Sequence, residues 1–255
     1  MRVDLYFTPH QADEQALRER TVVVIDVLRA STSIATALRN GAREVIPVPT
    51  VESAVKISAN LFGDITLLGG ERNGRMIEGF HLGNSPLEYS EEKVRGKSII
   101  FSTTNGSLAM AKARYAKEMV VCGFVNLSVV VNFLIQNPRD FVVVCAGSNG
   151  MFSLEDAVCA GMLLQKMFNG RPEGYELSDG AHAALALYKG FGKSIQKMVM
   201  NTEHGLYLQQ IGFGDDLKVC AGVDTVPVLP LLDGNVIKLR RDVEKRDADQ
   251  TPASS

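Results

Sequence analysis

The sequence predicts an α/β fold, and three observations carry that reading. Runs of consecutive β-branched and apolar residues recur (VVVI from Val22, SIIF from Ser98, FVVVC from Phe141), the pattern of strands buried on both faces. Each run is followed by a turn rich in hydroxyls, glycine or asparagine, and then by an amphipathic stretch of helical length. A hydrophobic content of 45% over 255 residues is enough for one large α/β domain or two small ones sharing a core.

RVDLYF alternates as a strand closed by Pro9, and HQADEQALRER reads as a short helix. The Val22 strand ends at Asp26, turns through Ser31, Thr32 and Ser33, and becomes a helix, IATALRNG, stopped at Gly41. REVIPVPT is a strand that Pro47 and Pro49 confine to a sheet edge or a strand end. VESAVKISANLF is a helix with Thr50 as N-cap, and DITLLGG is a strand. GERNGRMIEGFHLGNSPLEY is a long connection, and its apolar anchors (Met76, Ile77, Phe80, Leu82) mark it as functional rather than as a disordered tail. KSIIFSTTNGSLAMAKA repeats the order strand, turn, helix; EMVVCGFVN is a strand, and LSVVVNFLIQN a helix that ends before Pro138. FVVVCAGSNGMFSLEDAVCAGMLLQKMF is the third such unit, with Ser153 as the N-cap of its helix. Ser178 to Asp216 reads as helical, and TVPVLPLLDGNVIKL closes as a strand or a hairpin turning at Asp233-Gly234. The elements make one domain over residues 1–242, with room for two lobes meeting near 135–140, and a charged, then small and polar tail over 243–255.

A net charge of −2 leaves no electrostatic footprint for nucleic acid or an anionic membrane. The N-terminal MRVDLYFTPHQAD has no signal-peptide core, and no window approaches a transmembrane span. Four scattered cysteines (Cys122, Cys145, Cys159, Cys220) argue against a zinc cluster or a disulfide framework, and a reduced, cytoplasmic setting is the default. GFGKS at Gly190 lacks the first glycine of a Walker A loop because Leu187 stands there. None of the cysteines has the arginine six residues on that a cysteine phosphatase loop requires, and Leu28 replaces the second acid of a haloacid dehalogenase motif. The four histidines, His10, His81, His182 and His204, show no metal-binding spacing and read as structural or surface groups.

What remains is a recurrent turn. Asp26 to Ser31, Thr103-Thr104-Asn105-Gly106 and Gly147-Ser148-Asn149-Gly150 each follow a strand, and in open α/β sheets such turns converge on one crevice. Their backbone N–H groups, with Arg29, suit an anion, while Asp26 suits a hard cation. Other acids stand at strand or helix ends: Glu71, Glu155, Asp156, Asp216 and Asp224. Glu155 and Asp156 point about 100° apart on a helix, so only one of them reaches a shared ligand. Asp216, Cys220 and Asp224 share a face if their segment is helical.

The segments IDVLRASTSI, GGERNG with GFHLGNSPLEY, STTNGS, CAGSNGMFSLEDAVCAG and DDLKVCAGVDTVPVL, in this order, resemble the 2-phosphosulfolactate phosphatases of the ComB type. A small departure is Ser107, where the family's motif has threonine. The resemblance implies a three-layer α/β/α fold with a mixed, largely parallel sheet, and a Mg²⁺-dependent hydrolase converting 2-phosphosulfolactate to sulfolactate and phosphate on a route to coenzyme M. It implies catalytic roles for Asp26, Arg29, Glu71 and Glu155, with metal ligands among Asp26, Glu71, Glu155, Asp156 and Asp224. Backbone and side-chain donors at Ser31, Thr32, Thr103, Thr104, Asn105, Gly106, Gly147, Ser148, Asn149 and Gly150 would hold phosphate oxygens. Arg29 and Arg72 would meet the sulfonate and carboxylate, with Asn84 and Ser85 completing the pocket. The partner is then a small anionic phosphoester. Two alternatives stand beside this: a phosphatase for another small phospho-hydroxy acid, and a non-catalytic binder of an anionic metabolite. VVVNFL and VPVLPLL serve a core or a homodimer interface equally well.

Overall fold

In the computed structural model, which describes residues 1–60, 65–169 and 174–240, eleven strands among these residues form one mixed sheet. The tail expected over 243–255 lies outside the described residues. The strands are β1 (Arg2–Tyr6), β2 (Thr21–Ile25), β3 (Glu44–Pro47), β4 (Thr66–Arg72), β5 (Arg75–Met76), β6 (Ser98–Ser102), β7 (Glu118–Cys122), β8 (Phe141–Cys145), β9 (Glu176–Leu177), β10 (Pro230–Asp233) and β11 (Val236–Leu239). Their order across the sheet is β5-β4-β6-β3-β11-β10-β7-β2-β8-β1-β9.

Two parallel sets make up most of the sheet. β7, β2, β8, β1 and β9 form one, and β3, β6 and β4 the other. The β10–β11 hairpin joins them through three successive antiparallel pairings, so the second set runs opposite to the first. Gly234 opens that hairpin's turn with φ 63°, a conformation glycine adopts without strain. Residues 135–140 take in the end of the helix Leu127–Gln136 and the short connection that leads into β8.

Alternation along the central strands divides the core into two faces. Val23, Ile25, Val143 and Cys145 enter one apolar cluster with the helices Leu127–Gln136, Leu154–Met167 and Asp179–Phe191. Val22, Val24, Val142 and Val144 enter another with the helices Ala30–Arg39 and Gly106–Lys112. The result is the expected three-layer α/β/α arrangement with a mixed, largely parallel sheet. Each such side chain contributes about 1.5–3 kcal/mol through removal from water, and an aspartate at Val23 or Val143 would break the central layer.

Local signals read from the sequence account for several boundaries. Ser153 Oγ accepts the Asp156 N–H (3.3 Å), and Thr50 Oγ1 accepts that of Ser53 (3.1 Å). Pro47 is the last residue of β3, where a missing donor costs no ladder bond, although β3 itself lies inside the sheet. Two expectations need correction. The helix after β2 begins at Ala30, so Ser31, Thr32 and Ser33 lie buried in its first turn instead of preceding it. Asp26 sets that start by accepting from the Ala30 N–H (3.3 Å). The long connection after β4 is not wholly irregular: Asn73 (φ 51°) and Gly74 (φ 71°) form a tight turn that pairs β5 with β4. Among the described residues no helix is long and apolar enough to cross a membrane.

Candidate active site

Asp26 sits at the carboxyl end of β2, fixed at both ends of its residue. Its N–H donates to Ser31 Oγ (2.9 Å), and its Oδ1 accepts from Ala30. Gly106, the first residue of its helix, packs directly against it: a Cβ there would lie 2.5 Å from Asp26 Oδ2 and 2.8 Å from Ala30 Cβ. Burial pushes the Asp26 carboxyl up to about 6; His204 and the Ala30 N–H act against that rise, and Glu71 and Glu155 add to it.

Glu71, near the end of β4, ties the other parallel set to the same place. Its Oε1 accepts the Thr104 N–H (2.7 Å), and its Oε2 accepts the Gly74 N–H (2.8 Å) and Thr104 Oγ1 (3.2 Å). The turn after β6 then meets the turn after β8 through the Asn149 N–H, which donates to Asn105 Oδ1 (2.9 Å). Strand ends that run in opposite senses thus converge, helped by a sheet twist of roughly 20–25° per neighbouring pair.

Glu155 and Asp156 take separate partners, as their angular separation on the helix requires. Asp156 Oδ1 accepts the Val27 N–H (2.8 Å) and Oδ2 that of Gly147 (3.0 Å). Burial, with Asp26 and Glu155 nearby, holds the Asp156 carboxyl well above the usual carboxylate range, against the pull of those two amides. Glu155, equally buried, stands 3.5 Å from His204 Nδ1.

These elements enclose a cleft of about 220 Å³, below the ~300–1,000 Å³ of pockets that take drug-sized ligands. Of the residues nominated from sequence, Asp26, Arg29, Glu71, Asn84, Thr104, Asn105, Ser148 and Asn149 line it. Ser31, Gly106, Gly147 and Asp156 stand behind these, holding Asp26 and the turns in place. Thr32 is buried in the helix, its Oγ1 donating to the Val27 carbonyl, and Thr103 pairs with Ser107 at the start of the next helix. Gly150 takes a positive φ beside His10. Ser85 donates to Asp216 (2.6 Å) and does not line the cleft. Arg72 is likewise engaged elsewhere, on the Glu71 and Ser102 carbonyls and Ser102 Oγ. Asp224 is not brought in either. The helix stops at Cys220, so the shared face does not extend to Asp224, which instead holds Ser128 and Lys166.

Sequence reading missed part of the wall. Leu28, Asn73, Gly74, Glu203, His204 and Tyr207 also line the cleft. The Asn-Gly dipeptide was an available hairpin signal. His204 and Tyr207 arrive on the helix Glu203–Gln210 through packing between distant segments, and Tyr207 Oη donates to the Asn73 carbonyl (2.8 Å).

Among the described residues no group of three or more His, Cys, Asp or Glu is arranged as a metal cage. Mg²⁺ takes one or two carboxylates and keeps several waters, and hard oxygen donors within electrostatic reach of one another include Asp26, which lines the cleft, and Glu155, buried outside the lining against His204. Both oxygens of Glu71 and of Asp156 accept N–H or O–H donors, whereas Asp26 accepts on Oδ1 from the Ala30 N–H.

A helix-flanked sheet with buried acids and tight turns gathered at its strand ends defines an α/β enzyme with a site for a small, polar ligand. Residues 6–235 match the family model described as 2-phosphosulpholactate phosphatase. The chain is 40% identical over 242 residues to the probable 2-phosphosulfolactate phosphatase of Caldanaerobacter subterraneus subsp. tengcongensis, spanning 95% of this chain and 100% of that protein. It is 41% identical over 221 residues to the protein of that name from Thermotoga maritima (87% of this chain, 92% of that one). A third, from Symbiobacterium thermophilum, is 39% identical over 226 residues (88% and 97%). The chain belongs to the 2-phosphosulpholactate phosphatase family and is an enzyme of the phosphatase class.

Proposed function

We propose that the enzyme hydrolyses 2-phosphosulfolactate to 3-sulfolactate and phosphate, with Mg²⁺ as cofactor. The observation that carries the reading is the charge balance of the cleft. Asp26, Glu71 and Glu203 line it, Glu155 and Asp156 are buried next to Asp26, and among the described residues the cations in the lining are Arg29, already paired with Asp216, and His204, which stands 3.5 Å from Glu155. A substrate bearing phosphate, sulfonate and carboxylate, set beside Asp26, Glu71 and Glu203, favours a divalent counter-ion. Asp26 and Glu155 would hold Mg²⁺, which supplies charge neutralisation on the phosphate and activation of the attacking water.

The chain's own groups do the rest. Water's oxygen bonds to phosphorus, the ester P–O bond breaks, and a proton passes to the departing alkoxide. Arg29 and the amides of Asn84, Asn105 and Asn149 orient the anionic oxygens, Arg because its planar fork meets an oxyanion with two donors. A reducing, cytoplasmic setting accords with four buried, free cysteines.

The test is phosphate release from a panel: 2-phosphosulfolactate, its analogue without the sulfonate, and other phosphorylated 2-hydroxy acids. The proposal expects kcat/KM for 2-phosphosulfolactate at least about tenfold above the others, roughly 1.4 kcal/mol of discrimination. A higher value for another member would reassign the substrate. Thermal stabilisation by these compounds with no phosphate released would instead make the chain a binder.

A further inference from the structure

We propose that Asp216 is a positioning residue that aims Arg29 at the anionic substrate, with Ser85 and Phe213 completing the mount. The proposal rests on the phosphatase reading above and adds to it a part outside the cleft. Arg29 has a side chain only 2% exposed, and a buried guanidinium is costly unless it is paired and hydrogen-bonded. Asp216, equally buried, supplies the pairing: Arg29 Nη1 donates to its Oδ2 at 2.7 Å. The other carboxylate oxygen, Oδ1, accepts from Ser85 Oγ at 2.6 Å.

Two further contacts fix the plane of the fork. Nη2 donates to the Gly74 carbonyl at 2.6 Å, and the Phe213 ring lies 4.3 Å from the guanidinium carbon. These bonds use two of the five N–H donors and leave three for other partners on a residue that lines the cleft. Asp216 itself does not line the cleft; of its two bonded partners Arg29 does and Ser85 does not, so its direct link to the cleft is Arg29. The mount draws on four parts of the chain far apart in sequence: the turn after β2, the β4–β5 turn, the connection holding Ser85, and the segment Phe213 to Cys220. Ser85, nominated from sequence as a substrate contact, is thereby assigned to Asp216.

The experiment is a double-mutant cycle on the full chain, read as kcat and KM for 2-phosphosulfolactate with Mg²⁺, and as the Kd for inorganic phosphate by calorimetry. Asp216→Asn is expected to lower kcat/KM at least about tenfold, chiefly through KM, and to weaken phosphate binding by a similar factor. In an Arg29→Gln background the same change is expected to alter either readout less than about twofold, because its only route is gone. The double variant is also expected to melt above Arg29→Gln alone, which leaves Asp216 buried and unpaired. Should Asp216→Asn fail to fold, Ser85→Ala keeps both charges and is expected to raise KM about threefold or more. Wild-type values in folded Asp216→Asn, or in Ser85→Ala where that variant stands in, would overturn the proposal, as would equal losses in both Arg29 backgrounds. A wild type that binds phosphate but releases none from any phosphoester contradicts the functional reading alone, and the phosphate Kd values then decide the role of Asp216. A wild type that neither binds nor releases phosphate ends both.

Discussion

Asp26 and Gly106 are packed so closely that no side chain fits between the carboxylate and the helix that begins at Gly106. A Cβ there would approach Asp26 Oδ2 to 2.5 Å and Ala30 Cβ to 2.8 Å, distances that backbone or carboxylate must move to relieve. Gly106→Ala is therefore expected to displace Asp26 and lower kcat by about a hundredfold or more. Steady-state kinetics, with circular dichroism to show an intact fold, check this.

Asp26 also links activity to stability. Its folded pKa of about 6 lies above the ordinary 3.8, so the folded state holds a proton between those values that the unfolded state has released. Stability of the metal-free protein accordingly falls as pH rises from about 4 to 6, and the full cost, on the order of 3 kcal/mol, is present above pH 6. Asp26→Asn keeps an acceptor for the Ala30 N–H and removes the charge. The variant is expected to be inactive yet to melt higher than wild type at pH 7–8 in EDTA, with the advantage gone below about pH 4. Thermal denaturation across pH in EDTA measures it.

His204 lowers the Asp26 pKa, and Glu155 stands 3.5 Å from its Nδ1. Replacing it by glutamine removes that opposition to burial. The acid limb of the pH–rate profile is expected to move to higher pH in His204→Gln, while the fold is retained. An unmoved limb would show that Asp26 does not set it.

Asp156 accepts two backbone amides from segments that no regular element joins, Val27 and Gly147. Asp156→Ala orphans both, at about 1–3 kcal/mol each, partly offset because a carboxyl is no longer buried beside Asp26 and Glu155. A net loss on the order of 2 kcal/mol is expected in urea unfolding, together with reduced activity as the turn bearing Ser148 and Asn149 loosens.

Much of the fold is legible in the sequence. The consecutive β-branched runs marked strands covered on both faces, and Ser153 and Thr50 marked helix starts through local bonds that a sequence can display. The meeting of Asp26 with the turn at Ser148 follows from their place at the ends of neighbouring parallel strands, while Glu71 and Thr104 come from the oppositely running set. What stayed hidden was non-local. The reversal between the parallel sets depends on where the β10–β11 hairpin inserts, which no window of sequence records. Arg29 and Asp216 lie 187 positions apart, and His204 meets Glu155 only after the C-terminal helices pack. β5 is two residues long, too short for periodicity to reveal, although the Asn73-Gly74 turn beside it carries a hairpin signature.

The most direct test is phosphate release from 2-phosphosulfolactate by the purified protein, with Mg²⁺, with excess EDTA, and with Mg²⁺ restored. Turnover that falls at least about a hundredfold in EDTA and returns on adding Mg²⁺ is the predicted result. Equal rates with and without the chelator, or a folded enzyme that releases no phosphate from this substrate in Mg²⁺, would contradict it.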